Sequence, residues 1–433
     1  MYTTFLMLID FIKNHNLHYF MIFFAFIFIR WGIVYFHAIK YKPYEYNGDK
    51  KFNTSVIIPV VDEPLDLFTQ VLERISKQKP SEIIVVINGP VNKGLERCCE
   101  KFNKKIKEKH LEGRRTFIQC YYTPIAGKRN AVKTGLEHVS EDSEISVLVD
   151  SDTVWTENTL SELVKPFACD EKIGGVTTRQ KILDPNRKLV TMFANLLEEI
   201  RAEGTMKAMS VKEQVGCLPG RTIAFRTSIL KDVVDEFMTE EYMGIHKEVS
   251  DDRSLTNLTL LKGYKTVMQD TSVIYTDAPT KWKKFIRQQF RWSEGSQYNN
   301  IRMTPWMAKN APLMCFIYWS DMLMPMILIS VYVNSGLCIL LNHLGYNIVT
   351  INYTQNLLFT GIMIVVGCIL SFGSRNIKVM SQLPFYYIPL IPVFIIVLTL
   401  IMVPIRLVGL AQCADGKGWG TRKLTTDEGG NAA

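Results

Sequence analysis

The stretch EISVLVDSDT at residues 144–153 decides the fold, because a short and almost wholly apolar run ends abruptly in two aspartates. A run of this length that is rich in Ile and Val is typical of a strand buried on both faces of a sheet. Asp150 ends that strand, and Asp152 follows two residues later, pointing the same way. The stretch therefore predicts a central strand that delivers two carboxylates to one edge of the sheet.

Three earlier apolar runs repeat this pattern: NTSVIIPVV at 53–61, SEIIVVING at 81–89 and TFIQCYYTP at 116–124. Helical segments of about 10–20 residues separate the runs, which predicts an α/β domain with a parallel sheet covered on both faces. Ligands of such sheets bind beyond the carboxyl ends of the strands. The candidate site residues are therefore those just past each strand: Asp62, Glu63, Asn88, Gly89, Lys128, Arg129, Asp150 and Asp152.

The two aspartates and the sequence GKRN at 127–130 both favour a phosphorylated ligand. Two carboxylates in this arrangement suit Mg²⁺ or Mn²⁺ carrying a diphosphate, although a plain turn is the alternative for an Asp-x-Asp pattern alone. GKRN adds two cations and the N–H groups of a helix start, and both attract phosphate; its alternative is a solvated helix start. The GxGxxG and GxxxxGK[ST] patterns are absent, which weighs against dinucleotide and P-loop chemistry.

Paired acids recur in VSDDRSLTN at 249–257, where Asp251 and Asp252 stand at the start of a predicted helix. The helix dipole favours acids in a first turn even when they have no further role. The pair is therefore a candidate for acid–base chemistry only in combination with other motifs.

The sequence RQQFRWSEG at 287–295 places Gln288, Arg291 and Trp292 at positions i, i+3 and i+4. On a helix these three side chains share one face. An amide, a fixed cation and an indole on one face suit a sugar ring, whereas an ordinary amphipathic helix near a membrane is the alternative.

Apolar stretches lie on both sides of this polar block, at 19–36, 313–341, 357–372 and 384–411. A hydrocarbon core of about 30 Å requires about 20 apolar residues in a helix. Four such stretches predict an integral membrane protein. Prolines and Arg406 in the last stretch favour a broken, re-entrant or interfacial segment over a plain span.

Charge placement predicts the orientation of the chain. Lysines follow the first apolar stretch at positions 40, 42, 50 and 51, whereas the connection 342–356 has no Lys or Arg. The positive-inside rule then puts the polar block in the cytoplasm. A net charge of +8 fits contact with anionic lipid or a phosphorylated substrate, and nucleic acid is not an expected partner. The nine cysteines include no CxxC or Cys/His metal spacing, in agreement with a reducing compartment.

Taken in order, the motifs DSD, DD and QQFRW followed by apolar segments resemble the processive glycosyltransferases of family 2, which include hyaluronan, chitin and cellulose synthases. The resemblance covers nearly the whole chain. The stretch LVDSDTVWTENTLSELVKPFACD and the tail motif GWGTR at 418–422 are similar to hyaluronan synthases in particular.

The resemblance implies an α/β, Rossmann-like GT-A glycosyltransferase domain with flanking transmembrane and interfacial helices. The domains expected from it are a membrane anchor at 1–40, a cytoplasmic GT-A catalytic domain at 41–302, interfacial and transmembrane channel helices at 303–412, and a cytoplasmic tail at 413–433. A tail that reaches the cytosol favours the non-spanning interpretation of 384–411.

The resemblance also implies roles for individual residues. Asp252 is the expected general base beside Asp251, and Asp152 is the expected ligand of Mg²⁺ or Mn²⁺. The residues expected to bind the nucleotide-sugar are Asp62, Asn88, Lys128, Arg129, Asp150, Asp152, Arg291, Trp419 and Arg422. Those expected to bind the acceptor are Cys217, Gly220, Arg221, Gln288 and Trp292.

The chain departs from the family pattern at two positions. Asn88 stands where an acid usually ends the second strand, although an amide also hydrogen-bonds uracil. The acceptor loop GCLPGRTIAFR at 216–226 carries an additional Arg221, which suits an acidic sugar or a different pattern of acceptor hydroxyls. The second departure leaves the identity of the product open.

The expected function is that of a processive, inverting hexosyltransferase in the cell membrane. It would polymerise a UDP-sugar donor onto a growing polysaccharide acceptor, giving a β-linked, hyaluronan-like polymer, and translocate that polymer across the lipid bilayer. The alternatives are a non-processive transferase that glycosylates a lipid carrier, and a glucan, chitin or capsule synthase with another sugar. A channel or transporter with a nucleotide-sensing domain is a third.

Overall fold

The computed structural model describes residues 18–89, 91–108, 116–125, 127–346, 365–366 and 369–414. The strands within these residues are β1 (Thr54–Val60), β2 (Glu82–Asn88), β3 (Ile118–Thr123), β4 (Ile145–Val149), β5 (Thr153–Trp155), β6 (Ile173–Ile182), β7 (Thr222–Arg226), β8 (Glu241–Tyr242), β9 (Ile245–His246) and β10 (Lys265–Thr276). Eight of them form one sheet in the order β3-β2-β1-β4-β7-β6-β10-β5, and β8 pairs with β9 in a separate hairpin.

The four strands that the apolar runs predict are parallel neighbours, as expected. The remaining strands make the sheet mixed, because β7 is antiparallel to both β4 and β6, and β5 is antiparallel to β10. In the pairing of β4 with β7, Val149 lies opposite Thr222. The loop before Thr222 therefore emerges at the same edge of the sheet as Asp150.

Helices cover the sheet and continue beyond it. They are α1 (His18–Ala38), α2 (Leu65–Lys77), α3 (Lys93–Glu108), α4 (Lys128–Glu137), α5 (Thr159–Cys169), α6 (Leu189–Arg201), α7 (Lys207–Val211), α8 (Thr227–Met238), α9 (Asp251–Leu261), α10 (Trp282–Asn310), α11 (Pro312–His343), α12 (Ile377–Met380), α13 (Ile391–Val397) and α14 (Val403–Ala411). A π-helical turn, Ala202–Met206, joins α6 to α7.

Alternate residues of β1 face two different cores, as the period of a strand requires. Val56 and Ile58 pack in the core that includes Phe68 and Leu72 of α2. Ile57 packs in the other core with residues of α4. Both faces of the sheet are therefore covered, as the sequence predicts.

Two helices in the described part of the chain are long and apolar enough to cross a membrane, Pro312–Asn334 and Phe385–Ala411, and the apolar helix Ile22–Ala38 is shorter. The run Phe385–Ala411 changes from 3₁₀ to α, π and again α geometry. The irregularity that its prolines predict is thus present, yet its 27 residues also meet the length of a span. Most of the predicted stretch 357–372 lies outside the described residues.

A polar cluster joins the apolar helices. The Nη2 of Arg30 on α1 lies 2.5 Å from the Oδ1 of Asp321 on α11, and its Nε donates to Ser320 Oγ at 3.0 Å. Arg406 on α14 donates to the Asp321 carbonyl at 3.2 Å. An apolar surrounding strengthens such contacts, so the cluster holds α1, α11 and α14 in one arrangement.

Gly135 sets how closely α4 lies on β1, because a Cβ built there would be 2.4 Å from Ile57 Cγ2. We expect Gly135→Ala to lower the melting temperature of the detergent-solubilised protein by about 2–6 °C, because overpacking costs about 1–3 kcal/mol. In the matched control Ile57→Ala the added methyl group has space. Gly135→Ala should therefore lower the melting temperature less in the Ile57→Ala protein than in the wild type. Fully additive losses of melting temperature in the double variant would contradict the close packing.

Candidate functional site

Motifs that lie far apart in the sequence meet at the carboxyl ends of β1 and β4. Lys128, the first residue of α4, forms an ion pair with Asp150. The Asp150 N–H donates to the Arg221 carbonyl at 3.0 Å. The Gly220 N–H donates to Asp252 Oδ2 at 3.1 Å. The structure thus brings four of the predicted motifs into one site: GKRN, DSD, the acceptor loop and the DD pair.

Gly220 allows this close approach. A Cβ at this position would lie 3.2 Å from the Cβ of Asp252 and 3.6 Å from the Nζ of Lys128. A larger residue would push the acceptor loop away from Asp252, since 3.2 Å is tighter than ordinary van der Waals contact.

The Lys128 amine is a fixed cation at the start of a helix. Burial alone would lower its pKa, but the carboxylates of Asp150 and Asp251 outweigh that cost and raise the pKa above its usual value. A cavity of about 140 Å³ lies between residues 127–130 at the start of α4 and the side formed by Met238, His246 and Glu248. A helix start with its N–H groups, and a lysine as its first residue, suit an anionic ligand.

Negative charge accumulates around Asp152. Burial, together with the neighbouring carboxylates of Asp150 and Glu63, raises the pKa of Asp152 to about 7 against the opposing effect of Arg221. Ser151, which lies between the two aspartates in the chain, donates to Glu63 Oε1 at 3.0 Å and so holds Glu63 close to them. Bringing a cation to these oxygens would relieve the repulsion, as expected for a divalent metal site.

In the part of the chain that the structure describes, no group of three or more His, Cys, Asp or Glu side chains could hold a metal by itself. A cation at Asp152 would therefore take its remaining ligands from a bound phosphate or from water, which is how Mg²⁺ is commonly held in proteins.

The carboxylate of Asp252 is oriented by backbone donors. Its Oδ2 accepts from Gly220, and its Oδ1 accepts from the Arg253 N–H at 2.9 Å. Cys217 Sγ lies 3.9 Å from Oδ2. Burial, with the charge of Asp252, raises the pKa of Cys217 to about 12, so this thiol stays protonated and does not compete as a base.

Arg129 points into the protein. Its side chain is only 4% exposed, its Nε donates to Asp251 Oδ1 at 3.0 Å, and its Nη2 donates to Glu240 Oε2 at 2.7 Å. Burial raises the pKa of Asp251 against the opposing effect of Arg129 and Lys128. These contacts make Arg129 and Asp251 supports of the site, and direct contact of Arg129 with a nucleotide stays a prediction.

Asn88 is also engaged within the protein. Its Oδ1 accepts from the Gly127 N–H at 3.0 Å, and its Nδ2 donates to the carbonyls of Gly127 at 2.7 Å and Ile125 at 3.3 Å. Gly127 has a φ of +138°, which few other residues adopt. Asn88 therefore fixes the loop that leads into Lys128. Asp62, which follows β1, is exposed at the same edge.

Arg221 and Trp292 form the side of the site nearest α10. The guanidinium carbon of Arg221 lies 5.7 Å from the centre of the Trp292 ring, and its Nη1 donates to Gln180 and Glu198, each at 2.9 Å. Trp292 is 37% exposed, so part of its indole stays accessible. Gln288 and Arg291 lie on the same helix, α10, as predicted.

Three side chains at the site lack a sequence motif: Gln180, Glu198 and Glu240. Glu198 and Glu240 are buried beside arginines. The arginines within the motifs are the one sequence feature that could have indicated these acids, because a buried arginine requires an acidic partner. The predicted residues Trp419 and Arg422 lie outside the described residues.

Comparison with known proteins agrees with this geometry. The family model described as "Glycosyltransferase like family 2" matches residues 52–295. A hyaluronan synthase of Streptococcus pyogenes is 23% identical over 393 residues, which cover 90% of this chain and 87% of that protein. Hyaluronan synthase 3 of Homo sapiens is 25% identical over 181 residues, covering 42% of this chain and 33% of that protein.

A solved mannosyltransferase from Pyrobaculum calidifontis, in complex with GDP-Man and Mn²⁺, has a similar structure. The TM-score is 0.58 at 17% identity, and the match covers 93% of this chain and 97% of that one. The GT-A fold implied by the sequence motifs is thereby confirmed.

The contacts of Asn88 generate a prediction. Asn88→Asp replaces the donating NH₂ group by an oxygen that faces the carbonyls of Gly127 and Ile125. We expect a loss of about 1–3 kcal/mol, seen as a lower melting temperature. In the matched control Asn92→Asp the oxygen that accepts from the N–H groups of Gly94 and Leu95 is kept, and one long bond, from Nδ2 to the Val61 carbonyl at 3.4 Å, is lost. That variant should lose clearly less stability than Asn88→Asp, and equal effects in both variants would refute the role assigned to Asn88.

Proposed function

Because the chain belongs to family 2 of the glycosyltransferases and is a hexosyltransferase, we propose that it polymerises UDP-sugars into a β-linked, hyaluronan-like polysaccharide and moves the polymer across a membrane. One observation carries the proposal: α10 bears Trp292, which lies beside Arg221, and ends at Asn310, directly before α11. The candidate span Pro312–Asn334 lies within α11. A continuous path from acceptor-binding side chains into apolar helices is what a polymer-extruding enzyme requires.

A second contact supports the same proposal. A Cβ at Gly409 of α14 would lie 2.3 Å from Ser293 Oγ, so the second candidate span touches α10 one residue after Trp292. A transferase that adds a single sugar to a lipid carrier has no need for an acceptor helix held between two apolar helices.

Positively charged side chains define the proposed binding site of the donor diphosphate. Lys128 is positioned to neutralise the diphosphate of the donor, with Arg291 and the tail residues Trp419 and Arg422 proposed on its other sides. Asp62 is proposed to contact the nucleotide, and Asp150 holds Lys128 in place.

The oxygen donors around Asp152 fit a divalent cation. The Asp152 carboxylate would hold Mg²⁺ or Mn²⁺ together with oxygens of the donor diphosphate. Burial and the nearby carboxylates raise its pKa, and both favour a cation there. Such an ion supplies positive charge that stabilises the departing UDP.

Asp252 is the proposed general base. Its carboxylate, oriented by the N–H groups of Gly220 and Arg253, accepts the proton of an acceptor hydroxyl. The hydroxyl oxygen forms a bond with the anomeric carbon of the donor while the bond from that carbon to the diphosphate breaks. A single displacement inverts the configuration at that carbon, so an α-linked donor gives a β-linked product.

The charge beside Trp292 supports an acidic sugar in the polymer. Arg201 and Arg221 share the single carboxylate of Glu198, at 2.5 Å and 2.9 Å. The pKa of Glu198 is lowered because these arginines outweigh its burial, so it is charged at neutral pH. Arg221 also offsets the charge of Asp152, so the cation proposed to pair with a uronate is Arg201, whose side chain is 36% exposed. Cys217, Gly220 and Gln288 complete the proposed acceptor site.

The proposed arrangement in the cell membrane rests on the apolar stretches and the charge placement in the sequence. The catalytic block 41–302 lies in the cytoplasm, where its UDP-sugar donors are found, and residues 1–40 form the anchor. Residues 303–412 provide the apolar helices, and the tail 413–433 returns to the donor site. The lysines that follow α1 support this orientation.

The product tests the proposal. Membranes containing the protein are incubated with UDP-N-acetylglucosamine and UDP-glucuronate, singly and together, and the products are separated by size. We expect a polymer only with the pair, and we expect hyaluronidase but not chitinase or β-glucanase to degrade it. A single-sugar product extracted into organic solvent would instead support transfer to a lipid carrier.

Asp252→Asn provides the mechanistic control. It should reduce polymer formation about 10³-fold, which lies within the contribution of about 10²–10⁴-fold that is usual for a general base, while UDP still binds. The matched variant Asp232→Asn, which removes an exposed carboxylate of α8, should retain activity. Retained synthesis in Asp252→Asn would refute the base assignment.

The raised pKa of Asp152 predicts pH-dependent metal binding. Below about pH 7 the carboxylate carries a proton that must leave before Mn²⁺ binds, so affinity should fall up to about tenfold per pH unit below 7 and level off above it. Titration calorimetry with Mn²⁺ and UDP measures this. Asp152→Asn gives the dependence due to UDP alone, and a wild-type slope no steeper than that of the variant would contradict the prediction.

A further inference from the structure

Glu240 is a buried carboxylate on which three elements of the fold converge. It follows α8, and its side chain is 2% exposed. Its Oε2 accepts from Arg129 Nη2 of α4 at 2.7 Å and from Ser254 Oγ of α9 at 2.5 Å. On α10, Arg302 forms an ion pair with Oε1, and the Tyr298 hydroxyl lies 3.5 Å from Oε2.

These contacts form a continuous path to the proposed base. Arg129, held by Glu240, donates through Nε to Asp251 Oδ1 at 3.0 Å, and Asp251 directly precedes Asp252. Ser254, also held by Glu240, stands two residues after Asp252 on the same helix, α9. Glu240 therefore contacts the first turn of α9 through two routes, one through a guanidinium and one direct.

The same carboxylate reaches the acceptor helix. Tyr298 and Arg302 lie on α10, six and ten residues after Trp292. The hydroxyl of Tyr298 also donates to the Val249 carbonyl at 2.9 Å, two residues before Asp251. Helix α9, which carries the proposed base, and helix α10, which carries the proposed acceptor-binding residues, therefore both contact one buried carboxylate.

We propose that Glu240 is a positioning residue for sugar transfer, which fixes Asp252 of α9 in register with the acceptor-binding side chains of α10. The inference rests on the proposed role of Asp252 as the base. Transfer requires the acceptor hydroxyl and the carboxylate to meet within hydrogen-bond distance, and small misplacements of catalytic groups are costly in rate. Glu240 touches neither substrate and acts through Arg129, Ser254, Tyr298 and Arg302.

The variant Glu240→Gln tests the proposal, because it keeps the volume but removes the charge that two arginines share. We expect kcat for polymer synthesis from UDP-N-acetylglucosamine and UDP-glucuronate to fall about 10–100-fold, with the donor KM changed less than about threefold. A purely structural role would lower the melting temperature and the amount of folded enzyme without changing kcat per folded molecule.

Glu82→Gln is the matched control. Glu82 is also a buried carboxylate, which accepts from Ser55 and Ser140, but it begins β2 at the edge of the sheet opposite the site. This variant should lose thermal stability and keep its kcat. An equal fall of kcat in Glu82→Gln and Glu240→Gln would overturn the inference.

Arg302→Met provides a second route if Glu240→Gln fails to fold, because Arg302 is 27% exposed and easier to replace. It should lower kcat about 3–10-fold. When Glu240→Gln and Arg302→Met are combined, the two losses of kcat should not add, since both residues act through one chain of contacts. A wild-type kcat in Arg302→Met, or additive effects, would contradict the proposal.

Asp252→Asn separates this inference from the proposed function. If Asp252→Asn is inactive and Glu240→Gln retains the wild-type kcat, the positioning role is wrong while the proposed function stands. If Asp252→Asn retains activity, the base assignment fails and the inference fails with it.

Discussion

The antiparallel pairing of β7 with β4 is the constraint on which the site depends. Because Val149 lies opposite Thr222, the loop before β7 begins where the DSD motif ends. The Asp150 N–H and the Arg221 carbonyl then bond directly, and Gly220 reaches Asp252. A parallel strand in the place of β7 would have carried this loop to the opposite edge, away from every other site residue.

Charge is distributed unevenly around this junction. Near Asp152 the carboxylates outnumber the cations and, together with burial, raise the pKa of Asp152, whereas on the side of Trp292 two arginines share one glutamate. Buried charges are costly unless each is paired, so the negative surplus at Asp152 suits a cation with a diphosphate. Arg221 faces both groups of charges, since its charge also opposes the raised pKa of Asp152, and Arg201 is 36% exposed. Arg221 therefore connects the proposed donor and acceptor sites.

The parallel half of the sheet could be predicted from sequence because its strands are continuous apolar runs with helices between them. β5 could not, since it has three residues, nor could β7, since its direction depends on a tertiary pairing that no local pattern records. Among the site residues, Asp150 and Asp252 follow from their motifs. Glu240 has no local signature, because one acid after a helix looks like solvent-exposed charge until its arginine partners are placed around it. The inward orientation of Arg129 was missed for the same reason.

The contacts of α10 bear on how a polymer would move. Within a few turns this helix packs Gly295 against Ser250, shares Glu240 through Arg302, and meets Gly409 at Ser293. Because α10 is fixed against the start of α9 on one side and against α14 on the other, it is not free to slide by the length of a sugar. In the proposed function, Trp292 is therefore a stationary platform past which the polymer advances. We propose that the polymer moves when a newly added sugar displaces its predecessor from the indole, so that the acceptor hydroxyl returns to the same place beside Asp252 in every cycle.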